Sequence, residues 1–120
     1  MKREFEYLED KGIALITISG TYDFDLETDF FKGIISKLKE HNSKGSLWDF
    51  REAKIVESTM TLFNRQKLYD YLDLERSRKR AIVLKEGNDD WQFLETVLVN
   101  RGWNVRLFTD YNLAIGWLTE

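Results

Sequence analysis

The sequence predicts an α/β fold: four to five strands in a mostly parallel sheet, opened by an antiparallel hairpin and covered by helices on both faces. Three observations carry this. The apolar period switches repeatedly between two and about 3.6 along the 120 residues, which gives the order β-β-α-β-α-β-α-β-α. Two strand-like segments precede the first helix with only a short turn between them. Ala81-Ile-Val-Leu84 is a continuous apolar run, as expected of a strand buried on both faces.

The elements follow in order. Phe5, Tyr7 and Leu8 alternate with Glu4 and Glu6 as a half-exposed edge strand, and Asp10-Lys11-Gly12 supplies the turn. Ile13–Ile18 is the second strand, ended by Ser19-Gly20-Thr21. Leu26, Phe30, Ile34 and Leu38 recur every four residues, with Phe31 and Ile35 widening the stripe, so residues 25–40 form an amphipathic helix. Asp23 or Asp25 caps it, Lys37 and Lys39 suit its C-terminal dipole, and residues 41–45 stop it with Gly45 last. Leu47, Trp48 and Phe50 form the third strand, whose C-terminal end presents Asp49 and Arg51 before a loop. A second helix runs from Ser58 or Thr59 to Leu72, and Asn88-Asp89-Asp90 caps a third that buries Trp91, Phe93, Leu94, Val97 and Leu98. Gly102 closes it, Trp103 to Phe108 is the fifth strand, and Asp110 caps a last helix burying Leu113, Ala114, Trp117 and Leu118.

Composition narrows the function classes. With 42% apolar and 14% aromatic residues, the chain can build one core, and residues 1–120 read as a single domain without disulfide or metal support. Cysteine is absent and His41 is the one histidine, so thiolate catalysis and sulfur-ligated zinc are excluded, and neither a metal nor a cofactor is expected. Eighteen basic against 21 acidic residues give a net charge of −3, which offers no general attraction to nucleic acid or anionic lipid. The charged start is no signal peptide, and no apolar run nears the ~18 residues of a membrane span. A cytoplasmic location, with no stable membrane insertion, is the expectation.

The candidate residues each have a plain reading beside the functional one. Right-handed crossovers place Asp49, Arg51, Lys85 and Asp110 along the rim of strand C-termini, where ligands of α/β folds commonly bind. Asp49 and Arg51 either face a ligand or pair to tie down the loop. Ser58 can be a modified residue or an N-cap. Trp91, Trp103 and Trp117 either line an apolar pocket or pack the core. Residues 76–80, Arg-Ser-Arg-Lys-Arg, read as a solvated loop too small for a nucleic-acid footprint, with Asp70, Asp73 and Glu75 nearby. The acid pairs Glu27/Asp29 and Asp89/Asp90 sit at helix starts, where capping accounts for them. His41 has no acid or serine partner in the sequence pattern. Isolated glycines form neither a dinucleotide turn nor a phosphate loop.

Three stretches carry a family resemblance: Leu47-Trp-Asp-Phe-Arg51, Arg80-Ala-Ile-Val83 and Val105–Leu118, the last with Phe108, Asp110, Ala114, Trp117 and Leu118 matching best. Together with the element order over nearly the whole chain, they resemble the STAS-like domains, and in particular the SpoIIAA-like group also described as STAS/SEC14-type. The resemblance implies a non-catalytic regulatory or protein-interaction domain. Its best-known members are anti-sigma-factor antagonists, controlled by phosphorylation of a serine in an Asp-Ser-Ser-Gly stretch at the start of the second helix. Glu57-Ser-Thr-Met60 is the equivalent here, with Ser58 at the phosphorylated position. Met60 adds bulk where the family pattern leaves backbone exposed, which disfavours that switch. The SEC14 link implies, as an alternative, a carrier of a lipid or other small apolar ligand; a small hydrolase or transferase ranks third. A homodimer through an edge strand or apolar helix face is a further expectation.

Overall fold

The computed structural model describes residues 2–23, 28–55, 78–86, 95–96, 99 and 104–120. Five strands, β1 (Lys2–Leu8), β2 (Ile13–Tyr22), β3 (Gly45–Ile55), β4 (Lys79–Val83) and β5 (Val105–Phe108), join two helices, α1 (Thr28–His41) and α2 (Tyr111–Leu118). They form one sheet in the order β1-β2-β3-β4-β5, in which β1 and β2 are antiparallel and the remaining pairs parallel. The mostly parallel sheet with its opening hairpin is thus as expected. The helix expected from Ser58 or Thr59 to Leu72 lies outside the described residues, as do Leu26, Trp91 and Trp103; of the helix expected after residues 88–90, Glu95, Thr96 and Val99 are described and are helical.

Alternation along the strands sorts the apolar residues onto two faces. Ile16, Ile18, Tyr22, Trp48, Phe50, Ile82 and Val105 turn towards α1, where Phe31, Ile34 and Ile35 meet them. Phe31 and Trp48 pack with ring centroids 5.6 Å apart, and the indole N–H, which would otherwise be buried without a partner, donates to Ser46 Oγ at 3.1 Å. On the other face Ile13, Leu47, Ala81 and Val83 pack under Ala114 and Leu118 of α2. This contact is close. A Cβ on Gly45 would lie 3.1 Å from Leu118 Cδ2 and 3.3 Å from the Lys79 carbonyl oxygen, so the start of β3 carries the residue without one.

Turn chemistry closes the hairpin as expected. Gly12 has φ +69°, and its N–H donates to the Leu8 carbonyl at 2.7 Å. The end of α1 differs from expectation. Asn42, at φ +53°, takes the left-handed position, and Ser43 N–H returns to the Leu38 carbonyl at 3.1 Å; Gly45 already belongs to β3. Asparagine tolerates this conformation better than most residues, so the left-handed turn falls at Asn42, three residues before Gly45. His41 stacks on Tyr7 at 4.5 Å and Phe5 lies 5.9 Å away, which ties the edge strand to the end of α1.

Three sequence expectations are corrected. Strand β3 does not end at Arg51 but continues to Ile55. Leu113, expected inside α2, is 65% exposed, whereas Tyr111, Ile115 and Trp117 are partly buried beside Ala114 and Leu118. At 100° per residue, Leu113 falls about a third of a turn from the middle of that face. Lys79 and Arg80, read as loop, begin β4 and are half-buried. Lys79 Nζ reaches the Trp117 carbonyl at 2.8 Å, completing the C-terminal end of α2. Among the described residues, no helix is long and apolar enough to cross a membrane.

Candidate functional site

The site grows out of an irregularity in β3. Thr17 of β2 pairs with Asp49, but Ser19 pairs with Glu52, so Ile18 faces two residues, Phe50 and Arg51. This is a β-bulge, uncommon between parallel strands. Arg51 is left out of the ladder, and its backbone N–H needs another acceptor. Asp49 provides it: Oδ1 accepts from Arg51 N at 3.1 Å and from Arg51 Nε at 3.0 Å, while Oδ2 accepts from Nη2 at 2.8 Å. One carboxylate therefore satisfies the bulge and holds the guanidinium in a two-pronged grip.

Environment sets the charge states. Burial alone pushes the Asp49 carboxyl up, but the hydrogen bonds from the Arg51 side chain and backbone, together with its charge, outweigh that and hold it below the ordinary 3.8. The Arg51 guanidinium lies 5.1 Å above the ring of Tyr111, the first residue of α2. Burial, helped by the negative charge of Asp49, raises the Tyr111 phenol above 10.0, against the opposing pull of Arg51. At neutral pH the cluster is a carboxylate, a guanidinium and a neutral phenol. It holds an ion pair that is already made, and none of its groups is poised near neutrality for proton transfer.

The four rim candidates share one end of the sheet. Asp49 is paired with Val83, and Val83 with Phe108, so the bulge lies level with the last residues of β4 and β5. Lys85 is exposed just beyond β4. Asp110 follows β5 and serves as the N-cap of α2, accepting from Asn112 N at 2.8 Å and Leu113 N at 3.1 Å. Asp49 and Arg51 are thus brought together, whereas Asp110 is occupied by its helix. Tyr111 was missed in the sequence; its place directly after the capping aspartate was the available signal. Among the described residues the strand order runs from one to five without reversal, so the described sheet has no crevice of the kind that a reversal opens in doubly wound sheets.

Trp117 packs on Phe108 at 5.8 Å, with Lys79 Nζ 5.3 Å and Arg106 Cζ 5.8 Å from its ring. A cavity of about 350 Å³ lies at the opposite end of the sheet from Asp49, between the last turn of α1 and the starts of β3 and β4, and Trp117 does not line it. Among the described residues, no group of three or more His, Asp or Glu side chains is arranged to hold a metal ion.

With this geometry the fold can be compared. An anti-sigma factor antagonist from Mycobacterium paratuberculosis superposes with a TM-score of 0.67 at 13% identity, covering 99% of this chain and 94% of that one. A DUF3478-family protein with a SpoIIAA-like fold from Shewanella loihica PV-4 superposes at 0.54 and 18% identity, covering 98% and 92%. The fold is SpoIIAA-like. No protein-family model matches the sequence, and no curated protein sequence matches it. In the sequence the bulge residues Phe50 and Arg51 precede Ser58, the residue that the STAS resemblance singles out, by eight and seven positions; Ser58 itself lies outside the described residues.

Proposed function

We propose that this chain is a single non-catalytic regulatory domain that recognises a protein partner through the rim formed by Asp49, Arg51, Lys85 and Tyr111. The observation that carries the proposal is the Asp49–Arg51 pair. Its carboxylate already accepts three hydrogen bonds from Arg51 while the guanidinium side chain stays 42% exposed, so the pair presents a fixed cation to solvent instead of an activated base. A charge locked over an aromatic ring suits recognition, because little side-chain freedom is lost when a partner docks. The likeness to an anti-sigma factor antagonist, a regulatory protein by its description, supports the same reading. By the STAS resemblance Ser58 corresponds to the phosphorylated serine, and a phosphoryl group there would change the charge by nearly two units.

Affinity purification from a cell lysate tests the proposal, with wild type compared against Arg51→Glu and Lys85→Glu. A protein retained by wild type and lost from either variant, each folded by circular dichroism, is the expected result. Equal retention by all three would place the partner surface elsewhere, and turnover of a small substrate abolished by Arg51→Glu would overturn the non-catalytic reading.

A further inference from the structure

Helix α2 is apolar almost all round, although only one side of it is turned to the sheet. Ala114 and Leu118 are buried, while Leu113 is 65% exposed and Trp117, one turn further on, is half-buried. A single exposed leucine is ordinary on a protein surface. Gly116 beside it needs another reason. Its φ is not positive, and a Cβ there would meet nothing within 4 Å, so neither the backbone nor the packing of this chain calls for glycine. A glycine inside a helix destabilises it relative to alanine. What it adds on an outer face is a notch, into which a second element can come close. Gly33 of α1 is open in the same way, but its exposed neighbours one turn away are Asp29, Ser36 and Lys37.

The notch on α2 has a knob to match it. Leu113 and Gly116 lie symmetrically about the midpoint of Tyr111–Leu118. A two-fold axis through that midpoint, at right angles to the helix, lays a second α2 antiparallel along the whole length of the first. It sets Leu113 of each copy over Gly116 of the other. With no side chain at that point the axes can approach to about 8 Å, the close end of the usual range.

The charges match as well. Arg106 is exposed, with its guanidinium 5.8 Å from the Trp117 ring, and among the described residues no carboxylate pairs with it. Asp110 lies at the other end of α2, and both of its capping bonds fall on Oδ1, which leaves Oδ2 for a further donor. Antiparallel packing turns Arg106 of each copy towards Asp110 of the other and opposes the two helix dipoles. Glu120, at the same end as Arg106, is held by Lys79 at 3.7 Å and adds no net charge to the contact.

We infer that the outer face of α2 is a self-complementary contact through which two copies of this chain pair weakly about a two-fold axis. The same patch meets itself, as a closed dimer requires. A helix of this length spans about 12 Å, so the buried area stays under the ~1,000 Å² of a lasting interface. A dissociation constant of about 0.1–1 mM follows. Arg51 and Lys85 of the proposed partner rim take no part in the contact.

Sedimentation equilibrium of the full chain up to about 1 mM tests the pairing. Wild type is expected to rise from monomer towards dimer mass with concentration. Gly116→Leu, for which the chain itself has open space, fills the notch and weakens pairing by about tenfold or more. Leu113→Ala removes the knob and weakens it several-fold. The two changes together exchange knob and notch, so the double variant pairs more tightly than Gly116→Leu alone. Arg106→Glu weakens pairing at low salt and by less at high salt. Circular dichroism checks the fold of each variant. A monomer at every concentration would overturn the inference and leave the face to a different protein. A dimer that Gly116→Leu does not weaken, or a double variant that pairs no better than Gly116→Leu, would overturn it too by placing the contact elsewhere.

Discussion

Asp49 illustrates how one side chain can serve both backbone and charge. Its carboxylate replaces the ladder acceptor that the bulge takes from Arg51, and it is mostly shielded from water, with a side-chain exposure of 12%. Asp49→Asn keeps the shape but loses the charge-assisted bonds, and we expect a loss of about 1–2 kcal/mol in urea unfolding at neutral pH. The sign of the pH dependence follows from the depressed folded-state value. An ionised Asp49 contributes its full stabilisation above the ordinary 3.8, and that contribution disappears as pH falls through the depressed value. The stability gap between wild type and Asp49→Asn should therefore close over that acid window. A gap of constant size down to the acid limit would mean that Arg51 is not what holds the carboxyl down. The neighbourhood of Asp49 was legible in the sequence as a rim position, but its hydrogen bonding was not. A bulge breaks the alternation of Trp48 and Phe50, and a broken alternation reads as the end of a strand.

At the level of elements, β5 carries the clearest device. The carbonyls of Asn104 and Phe108 accept from Arg80 N of β4 and from Leu84 N just after it, each at 2.9 Å, so the intervening Leu107 N–H points to the open edge. Glu95 Oε2 accepts it at 2.5 Å. An edge N–H closed by a carboxylate is withdrawn from pairing with another chain. Glu95→Ala should reopen it, and multi-angle light scattering should then show a dimer fraction that grows with protein concentration, beyond that of wild type. An unchanged mass at every concentration would show that the edge is protected by other means. Helix α2 teaches a related lesson about legibility. Ala114 and Leu118 were plain as inward residues, but Leu113 was assigned with them because hydrophobicity alone does not say where a short helix begins. The cap fixes the phase: once Asp110 is the N-cap, Tyr111, Ala114, Ile115 and Leu118 fall inward together.

For the molecule as a whole, the interior strands are packed on both sides and the outer ones are not. Ile13, Ile16, Ile18, Leu47 and Val83 are fully buried, whereas no residue of β1 is: its positions alternate between exposed and half-buried as far as Tyr7, and Leu8 is half-buried. Hydrogen exchange should find the slowest amides in β2 and β3 and faster ones in β1, because opening the centre requires separating α1 and α2 from their faces. Equal protection of β1 and β3 would contradict that ordering. The alternation of strands and helices, readable from period changes, was enough to anticipate the sheet and its opening hairpin. The cavity between α1 and β4 was not readable. Its cationic residues are separated by nearly forty positions, and a charged run before an apolar strand has the same sequence appearance as a solvated loop.

The bulge in β3 also bears on how related chains should be aligned. Phe50 and Ala53 both turn towards α1 although three positions separate them, because Arg51 is one residue more than the pairing with β2 requires. Removing the codon for Arg51 would leave Ser19 opposite Glu52 and Gly20 opposite Ala53, with every later residue keeping its face. Length at this point is therefore free to vary by one without disturbing the sheet. A relative with a straight β3 would appear in an alignment as a single gap between Phe50 and Glu52. That gap would mark the loss of the guanidinium grip, with the rest of the strand in register.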